Sequence, residues 1–331
     1  MAVGQATAAR RAGIPVVLIP IALVVVALLG RAAGAEDVAA IETFVLIFTS
    51  IVVEALPFVL LGALVSALIQ VYVPDRAFAR VARLPLALQV PGAALGGVAF
   101  PVCECGSVPV ARRLIARGMH PAAGIAFMLA SPILNPIVLG ATFVAYRGRG
   151  VALEMVVGRA VLGLLVAVVV GWALGGKRGD DLLRHRELSE HYELRGGVGR
   201  WRSAVEHLAS DFVFMGKFVV VGAALAAGLQ TIVPQSIVSG VARTPLVGSL
   251  ALMGIAYVLS LCSEADAFVA VSFIQFPLSS QLAFLVFGPM VDVKLSFLYG
   301  ATFRSHFVPR LALVTAPVVL AGSLWFEVIT R

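Results

Sequence analysis

Long apolar runs, separated by short charged turns, succeed one another along almost the whole chain. In the first half they cover Ile14–Gly30, Ile41–Val73, Leu84–Phe100, Pro121–Tyr146 and Val151–Gly175. They resume after one hydrophilic segment. The runs are continuous rather than alternating, so they predict helices and not the strands of a barrel. Runs of about 20 residues are long enough to cross a hydrocarbon core of roughly 30 Å. The pattern therefore predicts an all-α polytopic membrane protein. Ile41–Val73 exceeds one upright span and holds Glu54 and Pro57 near its middle, so a kink or tilt is expected there.

Two polar interruptions break the apolar pattern. The sharper is Pro101-Val102-Cys103-Glu104-Cys105-Gly106-Ser107-Val108-Pro109. Gly106 and Pro109 predict a non-helical loop, the one setting in which a Cys-x-Cys brings its two sulfurs together. The other is Ser131-Pro132-Ile133-Leu134-Asn135-Pro136. Just before the first, Gly92 and Gly96 form a GxxxG pattern suited to close helix contact.

The chain then repeats itself. Gly62…Gln70 with Pro74 matches Gly222…Gln230 with Pro234, Val81-Ala-Arg-Leu-Pro85 matches Val241-Ala-Arg-Thr-Pro245, Glu104 matches Glu264, and Gly140-Ala-Thr-Phe143 matches Gly300-Ala-Thr-Phe303. All four pairs share an offset of 160 residues. Ser131-Pro132…Asn135 answers Gly288-Pro289…Asp292 at an offset of 157. The expected organisation is an N-terminal helix over residues 1–40, a first repeat over 41–175, a cytoplasmic linker over 176–203 and a second repeat over 204–331. The N-terminus also resembles a secretory signal, with Arg10-Arg11 ahead of the apolar run and Ala33-Gly34-Ala35 behind it. Its length favours a retained helix.

Charge sets the relation between the copies. Arg76, Arg80 and Arg83 precede the first break, and Arg112, Arg113 and Arg117 follow it. Both flanks read cytoplasmic by the positive-inside bias. That break is then a re-entrant hairpin. The second copy's flanks, Arg243 alone and Phe276-Pro277-Leu278, read external. Three spans per copy plus one hairpin make the copies inverted. The total is about seven spans and two broken-helix hairpins.

Composition narrows the functional classes. The chain is 60% hydrophobic and only 13% charged, against roughly 25% charge in soluble domains. The net charge of +7 follows from the positive-inside bias. There is no basic stripe with interleaved aromatics, so nucleic acid is not an expected partner. No phosphate-binding loop or hydrolase motif occurs, so neither ATP, an enzyme activity nor a cofactor is expected. Inverted repeats with broken helices are a transporter architecture, with the site where the breaks meet. The expected binding residues are Cys103, Glu104, Cys105, Ser131, Asn135, Cys262, Glu264 and Asp292. The coupling candidates are Glu104, Glu264, Asp266, Asp292 and Lys294, because intramembrane charges are costly and need a partner or a task. Lys294 is expected to neutralise Glu264, Asp266 or Asp292. Arg159 is assigned to Glu154, and Glu54 to Lys217. Thiols prefer soft, thiophilic centres. Three thiols without a nearby histidine fall short of a closed zinc set, so no metal centre is expected.

At Cys103-Glu-Cys-Gly106-Ser-Val-Pro109-Val and Ala130-Ser-Pro-Ile-Leu-Asn135-Pro the sequence resembles the predicted permease family that includes YraQ and the ArsP organoarsenical efflux permeases. The resemblance runs from about Glu42 to the C-terminus. It implies a multi-pass permease of the bacterial inner membrane and, from characterised members, export of trivalent organoarsenicals. A secondary permease for a thiophilic solute or metal species, driven by a proton or ion gradient, is thus the leading expectation. Its partners are the lipid bilayer, the solute and, as a further expectation, copies of itself. Two rivals stand beside it. One is a transmembrane thiol-electron carrier with a reversible disulfide between Cys262 and Cys103 or Cys105. The other is an uncoupled channel.

Overall fold

The computed structural model describes residues 38–72, 84–99, 102–176, 182–183, 200–232 and 245–330. The expected first helix, most of the linker, and the flanks at Arg76, Arg80, Arg83 and Arg243 lie outside them. Twelve α-helices are described: α1 (Val38–Tyr72), α2 (Leu86–Ala99), α3 (Glu104–Ala116), α4 (Pro121–Leu134), α5 (Pro136–Tyr146), α6 (Ala152–Leu174), α7 (Arg200–Ile232), α8 (Pro245–Leu259), α9 (Asp266–Ala270), α10 (Leu278–Phe287), α11 (Val293–Thr302) and α12 (Phe307–Thr330). The α7 helix takes in Arg200–Ser203, which the sequence pattern places in the linker. Among the described residues no strand forms; a single antiparallel bridge joins Leu183 to Phe303.

Among the described residues five helical stretches are long and apolar enough to cross a membrane: Ile41–Leu68, Pro121–Arg149, Ala152–Leu174, Ala204–Thr231 and Phe307–Ile329. Many of their large apolar side chains are exposed, among them Leu46, Val161 and Leu313. Bare protein leaves these faces to lipid rather than to a core. The α2 and α3 helices are too short to span: at 14 and 13 residues they reach only about 20 Å each.

The element order of the first half, α1 to α6, recurs as α7 to α12. Packing follows the same recurrence. The α2, α4 and α6 helices pack together, as do α8, α10 and α12. Between the halves α1 meets α7, α6 meets α12, α3 meets α11, and α5 meets α9. Exchange of the halves carries α1–α7 and α6–α12 onto themselves and α3–α11 onto α5–α9.

Local chemistry sets the helix ends. His120 Nδ1 accepts from Ala122 N (3.2 Å), with Pro121 at the first helical position of α4. Asn135 Oδ1 accepts from Ile137 N (3.0 Å) and Pro136 opens α5. Its repeat counterpart Asp292 accepts from Leu295 N (2.5 Å) and caps α11. These are standard N-caps, so the second interruption is a broken helix in both halves, as its sequence predicts. The turn after α3 passes through Gly118, whose φ of +94° needs glycine.

Two expectations of local structure are corrected. The Cys-x-Cys segment is not a loop throughout: only Val102 and Cys103 precede the helix, and Cys105, Gly106 and Pro109 lie inside α3. Pro109 is the sixth helical residue, past the first turn, and leaves the Cys105 carbonyl without the hydrogen bond an N–H there would give. Nor do Gly92 and Gly96 make the close contact, since a Cβ on either would meet nothing within 4 Å. Gly97 does so instead, where a Cβ would lie 2.7 Å from Ser131 Cα on α4.

A candidate transport site between the two halves

The two broken segments and the helices behind them bring six charged side chains to the boundary between the halves. Glu104 opens α3 as its first residue, where the helix dipole favours an anion. Its Oε1 lies 3.1 Å from Lys294 Nζ on α11. Its Oε2 accepts from Ser263 Oγ at 2.9 Å. Glu104 and Lys294 are both fully buried. Desolvating two charges is tolerable only when they are paired and further hydrogen-bonded, and both conditions are met. Lys294 Nζ also approaches the Ser260 carbonyl (3.5 Å) and Asp292 Oδ2 (3.9 Å). Ser260 stands at φ 47°, the only non-glycine among the described residues with positive φ. Strain of this kind collects where the chain must present a specific group; here it turns a carbonyl toward the ammonium.

A second pair lies beside the first. Arg159, inside α6, is fully buried. It holds Asp266 bidentately, Nη1 to Oδ1 at 2.9 Å and Nη2 to Oδ2 at 2.7 Å. The same guanidinium donates to Thr142 Oγ1 (2.9 Å) and to the Ser263 carbonyl (3.3 Å). Asp266 is the first residue of α9. Arg159 therefore ties the first half to the break of the second, as Glu104 ties its own break to α11.

Glu264 is different. Both of its carboxylate oxygens are buried and accept no hydrogen bond from any other described residue. Asp292 uses Oδ1 as the cap of α11, while Oδ2 has no hydrogen-bond donor.

The thiols lie within electrostatic reach of these charges. Cys103, Cys105 and Cys262 are free and buried. Cys103 is the N-cap residue of α3. Cys105 and Cys262 are within electrostatic reach of Lys294, and Cys262 is within reach of Cys103. Among the described residues no group of three or more His, Cys, Asp or Glu side chains is placed to hold a metal ion.

Not every expected residue joins the cluster. Ser131 donates to the Phe127 carbonyl within α4 (2.7 Å), and Asn135 caps α5. Both hydrogen bonds are local. Lys294 takes Glu104 as its nearest partner, which the sequence pattern did not suggest. Arg159 pairs with Asp266 rather than Glu154, and among the described residues no ion pair joins Glu54 to Lys217. Ser260, Ser263, Thr142 and Arg159 join the buried cluster, though the sequence pattern did not single them out for it. An arginine in mid-span was a sufficient signal for the last.

Further polar ties bridge the halves at two other places. Arg113 on α3 pairs with Asp211 on α7 (2.5 Å), and Ser66 on α1 both donates to Asp211 Oδ2 (3.0 Å) and accepts from Arg113 Nε (3.1 Å). Far along the α4–α5 span, Tyr146 Oη donates to Gln281 Oε1 (2.9 Å), which also accepts from Arg149 Nη1 (3.1 Å).

A multi-pass, helical membrane protein with paired charges buried at the seam of two similar halves has the form of a membrane permease. Residues 40–328 match the family described as "Predicted permease", of the ArsP type, and the chain belongs to that family. It is 41% identical over 281 residues to "UPF0718 protein YcgR" of Bacillus subtilis (strain 168), covering 84% of this chain and 95% of that protein. It is 33% identical over 279 residues to the "Putative two-component membrane permease complex subunit" of Streptococcus mutans, covering 83% of this chain and 91% of that one. No solved structure matches it.

Proposed function

We propose that the protein is a secondary permease of the bacterial inner membrane, and that its solute crosses at the seam between two inverted repeats. The observation that carries this reading is the buried charge cluster. Glu104–Lys294 and Arg159–Asp266 both cross the seam, and each pair has at least one member on a broken segment. Charges at membrane depth are expensive, and they mark solute or ion pathways when they face the interior of a helical bundle. Irregular backbone at that depth is tolerated only where protein or a cavity covers it. The short α2–α3 and α8–α9 segments fit re-entrant hairpins.

The thiols give the solute its class. Cys103, Cys105 and Cys262 make the site soft, so the solute is thiophilic, such as a trivalent organoarsenical or a related metal species, and it is exported. Glu104, Glu264, Asp266, Asp292 and Lys294 are the coupling groups to a proton or ion gradient. The Streptococcus mutans relative is described as a complex subunit, so a partner protein is part of this reading for the chain as well.

Purified protein in vesicles tests it. Wild type is expected to move a trivalent organoarsenical, and the triple variant Cys103→Ser, Cys105→Ser, Cys262→Ser to lose at least tenfold in rate. Unchanged flux in the triple variant would overturn the thiol site. A disulfide between Cys262 and the first break, with no solute movement, would favour the electron carrier instead.

A further inference from the structure

The internal repeat gives each half a glutamate at its first break, but it gives only one half a lysine to answer it. Glu104 and Glu264 are repeat counterparts. Lys294 is the second residue of α11, and its counterpart at the same offset as Asp292 and Asn135 is Ile137, the second residue of α5. The packing is reciprocal, with α3 against α11 and α9 against α5. At the repeat position of Lys294 the first half carries Ile137, whose side chain is largely exposed, so no lysine answers Glu264 from that position.

We propose that Glu264 is the proton-carrying group of the transport site, the one carboxylate of the cluster whose charge is left for a mobile cation to answer. Three observations support it. Both oxygens of Glu264 are buried without a donor among the described residues. An anion in that setting costs several kcal/mol. The charged groups within electrostatic reach of it are Glu104 from α3, Glu54 from α1 and Arg159 from α6, with Asp266 following in its own segment. Arg159 is already committed to Asp266 by two hydrogen bonds, and the other three are acidic. Across the cluster, Glu104, Glu264, Asp266 and Asp292 oppose only Lys294 and Arg159. The third observation concerns the identity of the missing charge. No described group of three ligating side chains is placed to hold a metal ion, whereas a proton needs one oxygen.

The transport role rests on the permease reading; the protonation does not, so the two are tested separately. Infrared difference spectra of the full chain in vesicles, stepped from acidic to alkaline buffer, read a protonated carboxyl directly. Wild type is expected to lose a carboxylic-acid carbonyl band as the pH rises. Glu264→Gln should lose one such band fewer than wild type while its other carboxyl groups still titrate, Glu104→Gln should keep that band, and Glu264→Asp should keep it at a shifted position. The same loss in Glu264→Gln as in wild type, or its absence from wild type, would overturn the assignment. If Glu264→Gln does not fold, an unshifted band in Glu264→Asp overturns it equally. In flux assays Glu264→Gln should exchange solute across the membrane but lose at least tenfold in accumulation driven by a pH gradient; full accumulation would remove Glu264 from coupling. A wild-type protein that shows the band but moves no solute would contradict the permease reading and leave the proton site standing.

Discussion

The Arg159–Asp266 pair places an obligation on two residues that neither meets alone. Removing one member of a buried pair strands the other charge and costs about 3–5 kcal/mol, while replacing both with apolar residues is often nearly neutral. Asp266→Asn should therefore lower the thermal midpoint in detergent sharply. The double variant Arg159→Met, Asp266→Leu should recover much of the loss. Equal losses in single and double variants would show that the pair does not act as a unit. At this scale the sequence was partly legible. The repeat picked out Glu104 and Glu264 because each copy carries a glutamate at its break. It was silent on which glutamate is paired, because Lys294 lies on a different broken segment, 190 residues from Glu104. Assigning Arg159 to Glu154 failed on geometry. Residues five apart do not share a helix face as those three or four apart do, and Glu154 is exposed.

Helices α1 and α7 set the positions of the charged segments through two glycines that are themselves repeat counterparts. A Cβ on Gly62 would collide with the Gly106 backbone of α3, and one on Gly222 would lie 2.8 Å from Lys294 Cα. Backbone cannot yield as a side-chain tip can. Gly222→Ala should cost about 1–3 kcal/mol by overpacking and displace Lys294 from Glu104. Gly228→Ala, where a Cβ would meet only Phe44 Cε2 at 3.9 Å, should be neutral or slightly stabilising through helix propensity. Thermal unfolding of the two variants checks this, and the same midpoint for both would contradict it. The Arg113–Asp211 tie belongs to this scale too. It joins α3 to α7 beyond the buried cluster, and Cys105 is a built-in reporter. Arg113→Ala should speed labelling of the buried thiols by a membrane-impermeant maleimide roughly tenfold, equivalent to about 1.4 kcal/mol, with protection restored in Arg113→Asp, Asp211→Arg. Unchanged labelling would mean the tie does not guard the site. The helices were legible from apolar runs, and the broken α4–α5 and α10–α11 pairs from their caps and prolines. The GxxxG expectation failed because the motif reports only that a backbone can be approached, and the neighbour at Gly97 faces α4 instead.

The whole molecule is two similar halves closed on a charged seam. The repeat was legible from four matches at one offset, and the recurrence of packing pairs agrees with it. The inverted relation rests on charge alone. It predicts that single tags in the exposed turns at Gly118 and at Gln275 report opposite sides of the membrane; the same side would make the halves parallel. The break in symmetry was not legible as a functional fact until Lys294 was seen against Glu104. Only then does the isoleucine at 137 become an absence with a consequence. The central claim is that this seam moves a thiophilic solute and that the unanswered carboxylate couples the movement to protons. Its most direct test is uptake of a trivalent organoarsenical by vesicles holding the purified protein, with and without an imposed pH gradient, for wild type and Glu264→Gln. The account predicts accumulation that follows the gradient in wild type and downhill exchange alone in the variant. Uptake in wild type no greater than in protein-free vesicles, or gradient-driven accumulation that survives in Glu264→Gln, would contradict it.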